Sequence, residues 1–560
     1  MKKSISILAT IALVIATGCE QEINDLKPKE PITGEPGSAN FTKFVSVGNS
    51  LTAGFQAGAL FNEGQANSFP SIMAKQFAFV SENDEFNQPN INSVNGYNSS
   101  VSNPGAGLIL GRLVLFDPDG ATDPDGAGCL VSRSPGPAAA NTPATSRTCP
   151  TPQNTPAVPA PYNSADLPAT FEGDRTKLNN FGVPGILLGQ VNNPATGGPS
   201  TGNPFFNPLY ARFASNPGTS TILGDALATN PTFVSFWLGN NDVLGYATSG
   251  ASGAIPLTSV ATFQSQYSTA INTILNSNAN VKMVVATIPD VTAIPFFSTV
   301  TWNQIDFTLR GCDFNTNGTD DVQEQINQLN GMTGYGGFNA ALNGLAGAGV
   351  ITQEEADKRK VTFAAGRNGI VINDETLADL TTALSGINPA LAAYGRTRQA
   401  NANDLITLSA GSILGTCVSN NPALINGVSV PLADQFVLLP SEIQEIKNRT
   451  TDFNNHIKSV VTANSSRIAL ADVNAEFTKI VNGTVRIVDG IPVNATFAPP
   501  FGLFSVDGVH PNNRGSAYIA QVFIKAINSA FGATVPLPSI AEYNSTPLPV
   551  SPPVATSPAQ

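Results

Sequence analysis

Charge is scarce in this chain. Asp, Glu, Lys and Arg make up 12% of its 560 residues, about half the usual share. The 28 Lys and Arg are outnumbered by 40 Asp and Glu, for a formal net charge of -12. Neutralising phosphates requires clustered cations, and no such cluster occurs, which argues against a nucleic-acid partner. Histidine is rarer still, with only His456 and His510. Chemistry that needs an imidazole therefore has two places to find one. The 5 cysteines include no CxxC pair, which argues against structural zinc. After the N-terminal segment, no apolar run approaches the roughly 20 residues of a membrane-spanning helix. Glycine (50) and proline (42) are plentiful, the mark of many turns and loops. A hydrophobic share of 41% is enough for a sizeable core.

The first residues have an address-like pattern. Lys2 and Lys3 precede an apolar stretch from Ile5 to Ala16, then Ala16, Thr17 and Gly18 lead into Cys19. A basic start, a short apolar segment and a small-residue cleavage site describe an export signal. Ending on Gly-Cys, the segment resembles a bacterial lipoprotein signal peptide, with Ala16 where such signals usually carry Leu. The resemblance implies cleavage after residue 18, lipidation of Cys19 and a tethered body in a bacterial cell envelope. Glu20, Glu22 and Asp25 hint at outward display, in the outer membrane. Residues 19–39 read as a flexible linker, rich in Pro, Gly and polar groups. Four cysteines remain: Cys129, Cys149, Cys312 and Cys417. An even number in an exported chain implies two disulfides, with three pairings open.

The body is expected over 40–534. Runs at 41–50, 231–242, 280–290 and 466–474 are nearly continuous in apolar and β-branched residues, as in parallel strands covered on both faces. Helical patterns fill 261–277 and 441–463. A third follows His510, where Tyr518, Ile519, Val522, Phe523, Ala526 and Ile527 form one stripe. The alternation predicts an α/β three-layer sandwich with a parallel sheet. Residues 113–170 and 300–438 break the rhythm and read as two insertions, the second a helical subdomain beside the site. Residues 535–560 read as a Pro-rich, extended or disordered tail.

Three segments carry chemistry. The first run exits into Gly48-Asn49-Ser50-Leu51, which puts a serine hydroxyl at the rim of the sheet beside outward-pointing N–H groups. Alone, such a serine is as easily a helix cap. Near the other end stands Asp507-Gly508-Val509-His510-Pro511. A serine needs a base to become nucleophilic, and imidazole held by a carboxylate is the usual one near neutral pH. His456 lies in a polar helical stretch, on what reads as a solvated face, leaving His510 as the base candidate. The third is Gly239-Asn240-Asn241-Asp242, directly after a strand, where an amide can donate to an oxyanion.

Together these segments resemble the SGNH (GDSL-like) hydrolase superfamily, with Asn180-Phe181-Gly182-Val183-Pro184-Gly185 as its second block. The resemblance implies a flavodoxin-like fold and carboxylic-ester hydrolysis, by an esterase or lipase, through Ser50, His510 and Asp507. It implies an oxyanion hole of the Ser50 and Gly185 N–H groups, Gly182 being the alternative, and the Asn241 amide. No cofactor is required. The family usually carries Asp where this chain has Asn49, which removes a charge beside the nucleophile. The expected partner is a small-molecule, lipid or acylated-sugar ester. The alternatives are a carbohydrate-ester deacetylase and a surface binding lipoprotein without turnover.

Two further signals remain. Gly198-Pro199-Ser200-Thr201-Gly202 has the G-x-S-x-G form but neither the strand before it nor the helix after it that a nucleophile elbow requires. Asp313, Asn315, Asn317, Asp321 and Glu324 fit the spacing of a calcium loop, with Gly318 at its turn. Calcium there would be structural, and an Asx-rich turn explains the same residues.

Overall fold

The computed structural model describes residues 33–81, 83, 85–94, 96, 112–116, 136–138, 170–307, 321–419 and 421–547. Five parallel strands form its central sheet: β1 (Phe44–Gly48), β2 (Asn180–Gly182), β3 (Phe233–Trp237), β4 (Lys282–Ala286) and β5 (Ile468–Ala471), in the order β2-β1-β3-β4-β5. The four expected strands are all present. The three-residue edge strand β2 was not expected as a strand; it is too short to show a periodicity. Gly48 pairs with Gly182 on one side and Trp237 on the other.

The strands are largely apolar because both faces are covered. Helices α1 (Ser50–Ala53), α2 (Phe69–Phe77), α3 (Ile222–Ala228), α4 (Asn241–Thr248), α5 (Val260–Ser277), α6 (Pro440–Ala463), α7 (Val473–Val481) and α8 (Asn513–Phe531) surround the sheet. Val45, Val47, Val234, Phe236, Met283 and Val285 pack with Ile274 of α5 and Ile457 of α6 on one face. Phe263 and Phe453 stack between those helices with ring centroids 3.8 Å apart. Phe44, Phe233, Trp237, Val284 and Ala469 point the other way, onto Ile72 of α2 and Phe523 and Ile527 of α8. The period-two alternation within each strand therefore feeds two separate cores. The layering is compatible with a three-layer sandwich.

The second insertion has a core of its own, built from Phe338, Leu342, Ile370, Val371, Leu384 and Ile406 among others. It is not the helical subdomain expected. Helices Tyr335–Gly347 and Gln353–Arg359 share it with short antiparallel ribbons such as Val371–Asn373 with Thr397–Gln399. Arg398, buried at its centre, is held by Asp374 and by both oxygens of Asp404 at 2.7 Å. A buried cation needs such partners.

Both chain-end expectations need correction. Residues 33–39 are not spacer: Ser38 N–H donates to Phe531 O (2.8 Å), Thr534 N–H donates to Glu35 O (2.9 Å), and Ala39 is buried. Likewise residues 535–547 are not a free tail. Val535 and Ile540 are buried in the core on the α8 face, and their apolar side chains outweigh the flanking prolines. The signal segment with Cys19, nearly all of the first insertion, Cys129, Cys149 and Cys312 lie outside the described residues, as does the side chain of Cys417. No described helix is long and apolar enough to cross a membrane.

Candidate active site

Every parallel strand ends on the same rim. The chain leaves β1 for β2 on one side and returns to β3 on the other, so the order reverses between β1 and β3. A crevice forms outside such a switch point. Ser50 follows β1 there, and Asn241 follows β3.

Asn49 caps α1, its Oδ1 accepting from Leu51 N–H at 3.1 Å. That fixes Ser50 at the first helical position, 6% exposed. His510 Nε2 lies 2.9 Å from Ser50 Oγ, and His510 Nδ1 lies 2.9 Å from Asp507 Oδ2. Thus three side chains up to 460 positions apart form one hydrogen-bonded chain. Asp507 also accepts from the N–H groups of Val509 (2.9 Å), His510 (2.8 Å) and Gly58 (2.9 Å). Burial alone would raise the Asp507 carboxyl, but the facing His510 and the N–H groups of His510 and Val509 outweigh it and bring it down to about 2. An ionised carboxylate can only accept, so in the neutral ring Nδ1 carries the proton and Nε2 is left to accept from the Ser50 hydroxyl.

The loop bearing Asp507 and His510 is fastened from two sides and closed by a bond of its own. Ala57 N–H donates to Ser505 Oγ (2.9 Å), Phe296 N–H to Gly508 O (2.9 Å), and Ser505 N–H to His510 O (2.8 Å). The Phe55 ring packs on the imidazole, centroids 4.9 Å apart. The second insertion also reaches the loop: a Cβ on Gly508 would meet Leu408 Cδ2 at 2.9 Å. Nothing in the sequence marks Gly58, Phe55 or Leu408, because each acts only through contacts across long loops.

Asn241 lines the same cleft, and its amide donates to Ile186 O at 2.8 Å. One of its two N–H bonds is thereby committed and the amide is oriented. The two glycines differ in packing, and the Gly182 N–H already donates to Asn180 Oδ1 at 2.9 Å. A Cβ on Gly182 would lie 2.3 Å from Ala53 N, so that glycine serves close packing of β2 on α1. Gly185, at φ +82°, faces open space, with nothing within 4 Å of a Cβ placed there. Among the described residues, the N–H groups of Ser50 and Gly185 have no protein acceptor. Asp242, next along, accepts from Leu188 N–H (2.9 Å) and Thr258 Oγ1 (3.0 Å), tying the Gly185 loop to α4. Burial pushes its carboxyl up to about 6.

Asn240 stands beside the expected donor, in the same segment, and has no expected role of its own. It lines the cleft, is 4% exposed, and neither end of its amide has a hydrogen-bond partner among the described residues. Asn49 Nδ2 is likewise unpartnered. A charged Asp at position 49 would bury a carboxylate oxygen where that amide now sits.

His456 departs from expectation. It is half-buried between α5 and α6, with its Nε2 3.0 Å from Ser268 Oγ, edge-on to Phe263 and Tyr267. Of the calcium pattern, Asp313, Asn315 and Asn317 lie outside the described residues, as does the side chain of Asp321. Glu324 sits in the helix Asp321–Asn330 that follows. Ser200, of the G-x-S-x-G segment, stands in a turn region with no strand before it, as the sequence implies.

No family model, no curated protein and no solved structure matches this chain.

Proposed function

We propose that the chain is a carboxylic-ester hydrolase of the SGNH type, with Ser50 as nucleophile, His510 as general base and Asp507 as its partner. The single observation that carries this reading is the continuous chain Ser50 Oγ–His510 Nε2 and His510 Nδ1–Asp507 Oδ2, each link 2.9 Å. The strand order β2-β1-β3-β4-β5 agrees with the flavodoxin-like arrangement that the family resemblance implies.

The mechanism follows from the geometry. His510 Nε2 takes the Ser50 proton as Oγ bonds to the ester carbonyl carbon. The carbonyl π electrons move onto oxygen, and that oxyanion is met by the N–H groups of Ser50 and Gly185 and the uncommitted N–H of Asn241. Collapse breaks the bond to the alkoxy oxygen, which leaves with the proton from His510. Water, deprotonated by the same ring, then attacks the acyl-enzyme, and the acid departs as Ser50 regains its proton. Asp507 stays ionised and stabilises the imidazolium.

The test is turnover of a short p-nitrophenyl ester by the whole chain and by Ser50→Ala. Serine-dependent turnover is expected. Its absence in the parent protein, or its survival in the variant, refutes the reading.

Export and tethering through Cys19 are proposed on residues 1–19, and a structural calcium ion on the Asp313–Glu324 pattern. Incorporation of labelled palmitate, lost in Cys19→Ser, checks the first. Calcium-dependent stabilisation, lost in Asp313→Ala, checks the second.

A further inference from the structure

The cleft at Ser50 continues well past the reacting atoms. It runs over the C-terminal ends of the strands and enters a slot between α7 and α8. Each helix contributes one stripe to it. Val473, Phe477 and Ile480 come from α7 at spacings of four and three, and Tyr518 and Ile519 come from α8 with Val522 four and three residues further on. Trp237, at the end of β3, forms the floor. Among the described residues, Glu476 is the one carboxylate in the lining. It is already engaged, at 2.6 Å by Lys479 Nζ and at 3.3 Å by the Tyr518 hydroxyl.

Away from Ser50 and the Asn240 amide, this lining is mostly apolar and suits methylene groups. Each methylene taken out of water improves binding roughly fourfold. A sugar hydroxyl carried into the slot would lose its water and meet mostly apolar side chains, with Glu476 and Tyr518, already bonded to each other, the polar groups on the two helices. The order of events decides which half of an ester belongs there. After the first step the alcohol must leave and water must reach the carbonyl beside His510, while the acyl group stays on Ser50. The slot, which leads away from His510 between the two helices, therefore fits the part that stays. From Gly515 to Val522 the wall of α8 is on the order of 10 Å long, the reach of an extended hexanoyl to octanoyl chain.

We propose that the slot between α7 and α8 is an acyl-chain site, and that the substrate is an ester of an unsubstituted aliphatic acid of medium length, not an acetylated sugar. This rests on the hydrolase reading and narrows it.

The test measures kcat/KM of the whole chain on p-nitrophenyl acetate, butyrate, octanoate and dodecanoate. It repeats the measurement on acetate esters whose alcohol is lengthened instead. Octanoate is expected to exceed acetate by about tenfold or more, with a flat profile along the alcohol series. Val522→Trp and Ile480→Trp, which fill the slot, should lower the octanoate-to-acetate ratio about tenfold and move the optimum toward butyrate. Should the bulky variants fail to fold, Val522→Ala serves instead, and is expected to raise the dodecanoate-to-octanoate ratio. A preference for acetate, an acyl profile without length dependence, or length dependence confined to the alcohol would each overturn the acyl site. If those outcomes come with activity that still requires Ser50, only the acyl site falls. If no ester is turned over, or Ser50→Ala remains active, the hydrolase reading falls and the acyl site with it.

Discussion

The chain has two histidines, and each holds a serine. His510 Nε2 lies 2.9 Å from Ser50 Oγ, and His456 Nε2 lies 3.0 Å from Ser268 Oγ. Judged by that distance alone the two pairs are equivalent. Everything around them differs. The other nitrogen of His510 meets a carboxylate that is itself held by three backbone N–H groups. Among the described residues no carboxylate bonds His456; its ring bonds the Gln264 backbone, and burial lowers its pKa. Ser50 stands at the rim of the sheet, beside two unaccepted N–H groups and an open cleft. Ser268 stands in the middle of α5, packed against α6. A serine–histidine contact is thus a common way to satisfy two polar groups. It becomes chemistry only where a fixed carboxylate, oxyanion donors and room for a substrate meet it.

That contrast can be broken by mutation. The largest expected effect is from His510→Ala, which should lower kcat on a p-nitrophenyl ester by about 10⁶, while His456→Ala should leave it within about twofold. Equal losses in the two variants would erase the distinction. Next comes Asp507→Asn. An amide keeps the shape but can present its NH₂ to Nδ1 and reverse the tautomer, so a loss of about 10⁴ in kcat is expected. Asn241→Ala should cost about 10²–10³ in kcat with little change in KM if the amide has the proposed oxyanion role, since such a donor acts on charge that develops only in the transition state. The smallest effect is on stability at the second pair. Ser268→Ala should cost about 1 kcal/mol in a denaturant titration, with activity retained.

The two buried carboxylates of the site should also differ in how stability follows pH. Asp507 has a depressed pKa. Its contribution is complete above its unfolded value of about 4 and is lost as pH falls toward its folded value. Asp242 is raised to about 6. Its contribution is complete below about pH 4 and is lost as pH rises through about 6. Melting temperatures of Asp242→Asn should therefore rise relative to the parent between about pH 4 and 7. A parallel curve over that range would show that Asp242 keeps an ordinary pKa.

Much of this was legible in the sequence for a physical reason. Strands covered on both faces cannot hide their composition, so Phe44–Gly48, Phe233–Trp237, Lys282–Ala286 and Ile468–Ala471 stood out. The helices α5, α6 and α8 were readable because each must keep an apolar stripe toward the sheet. What escaped had no local signature. Asn180–Gly182 is too short to show a period. Residues 33–39 and 535–547 are rich in turn formers, yet they pack because α8 ends between them. His456 looked solvated because its neighbours in sequence are polar, while its neighbours in space are the rings of Phe263 and Tyr267.

The sequence alone determined the alternation of elements and the residue types able to act. With two histidines, only one of them three residues after an aspartate, the choice of His510 over His456 needed no coordinates. Only the tertiary structure decided that Gly185 faces open space while Gly182 is pressed against α1. It also decided that Gly58 and Phe296 hold the histidine loop, and that the stripes of α7 and α8 face each other across a slot. Those are distances between segments far apart in the chain. They are set by how two cores pack on one sheet, which no local pattern encodes.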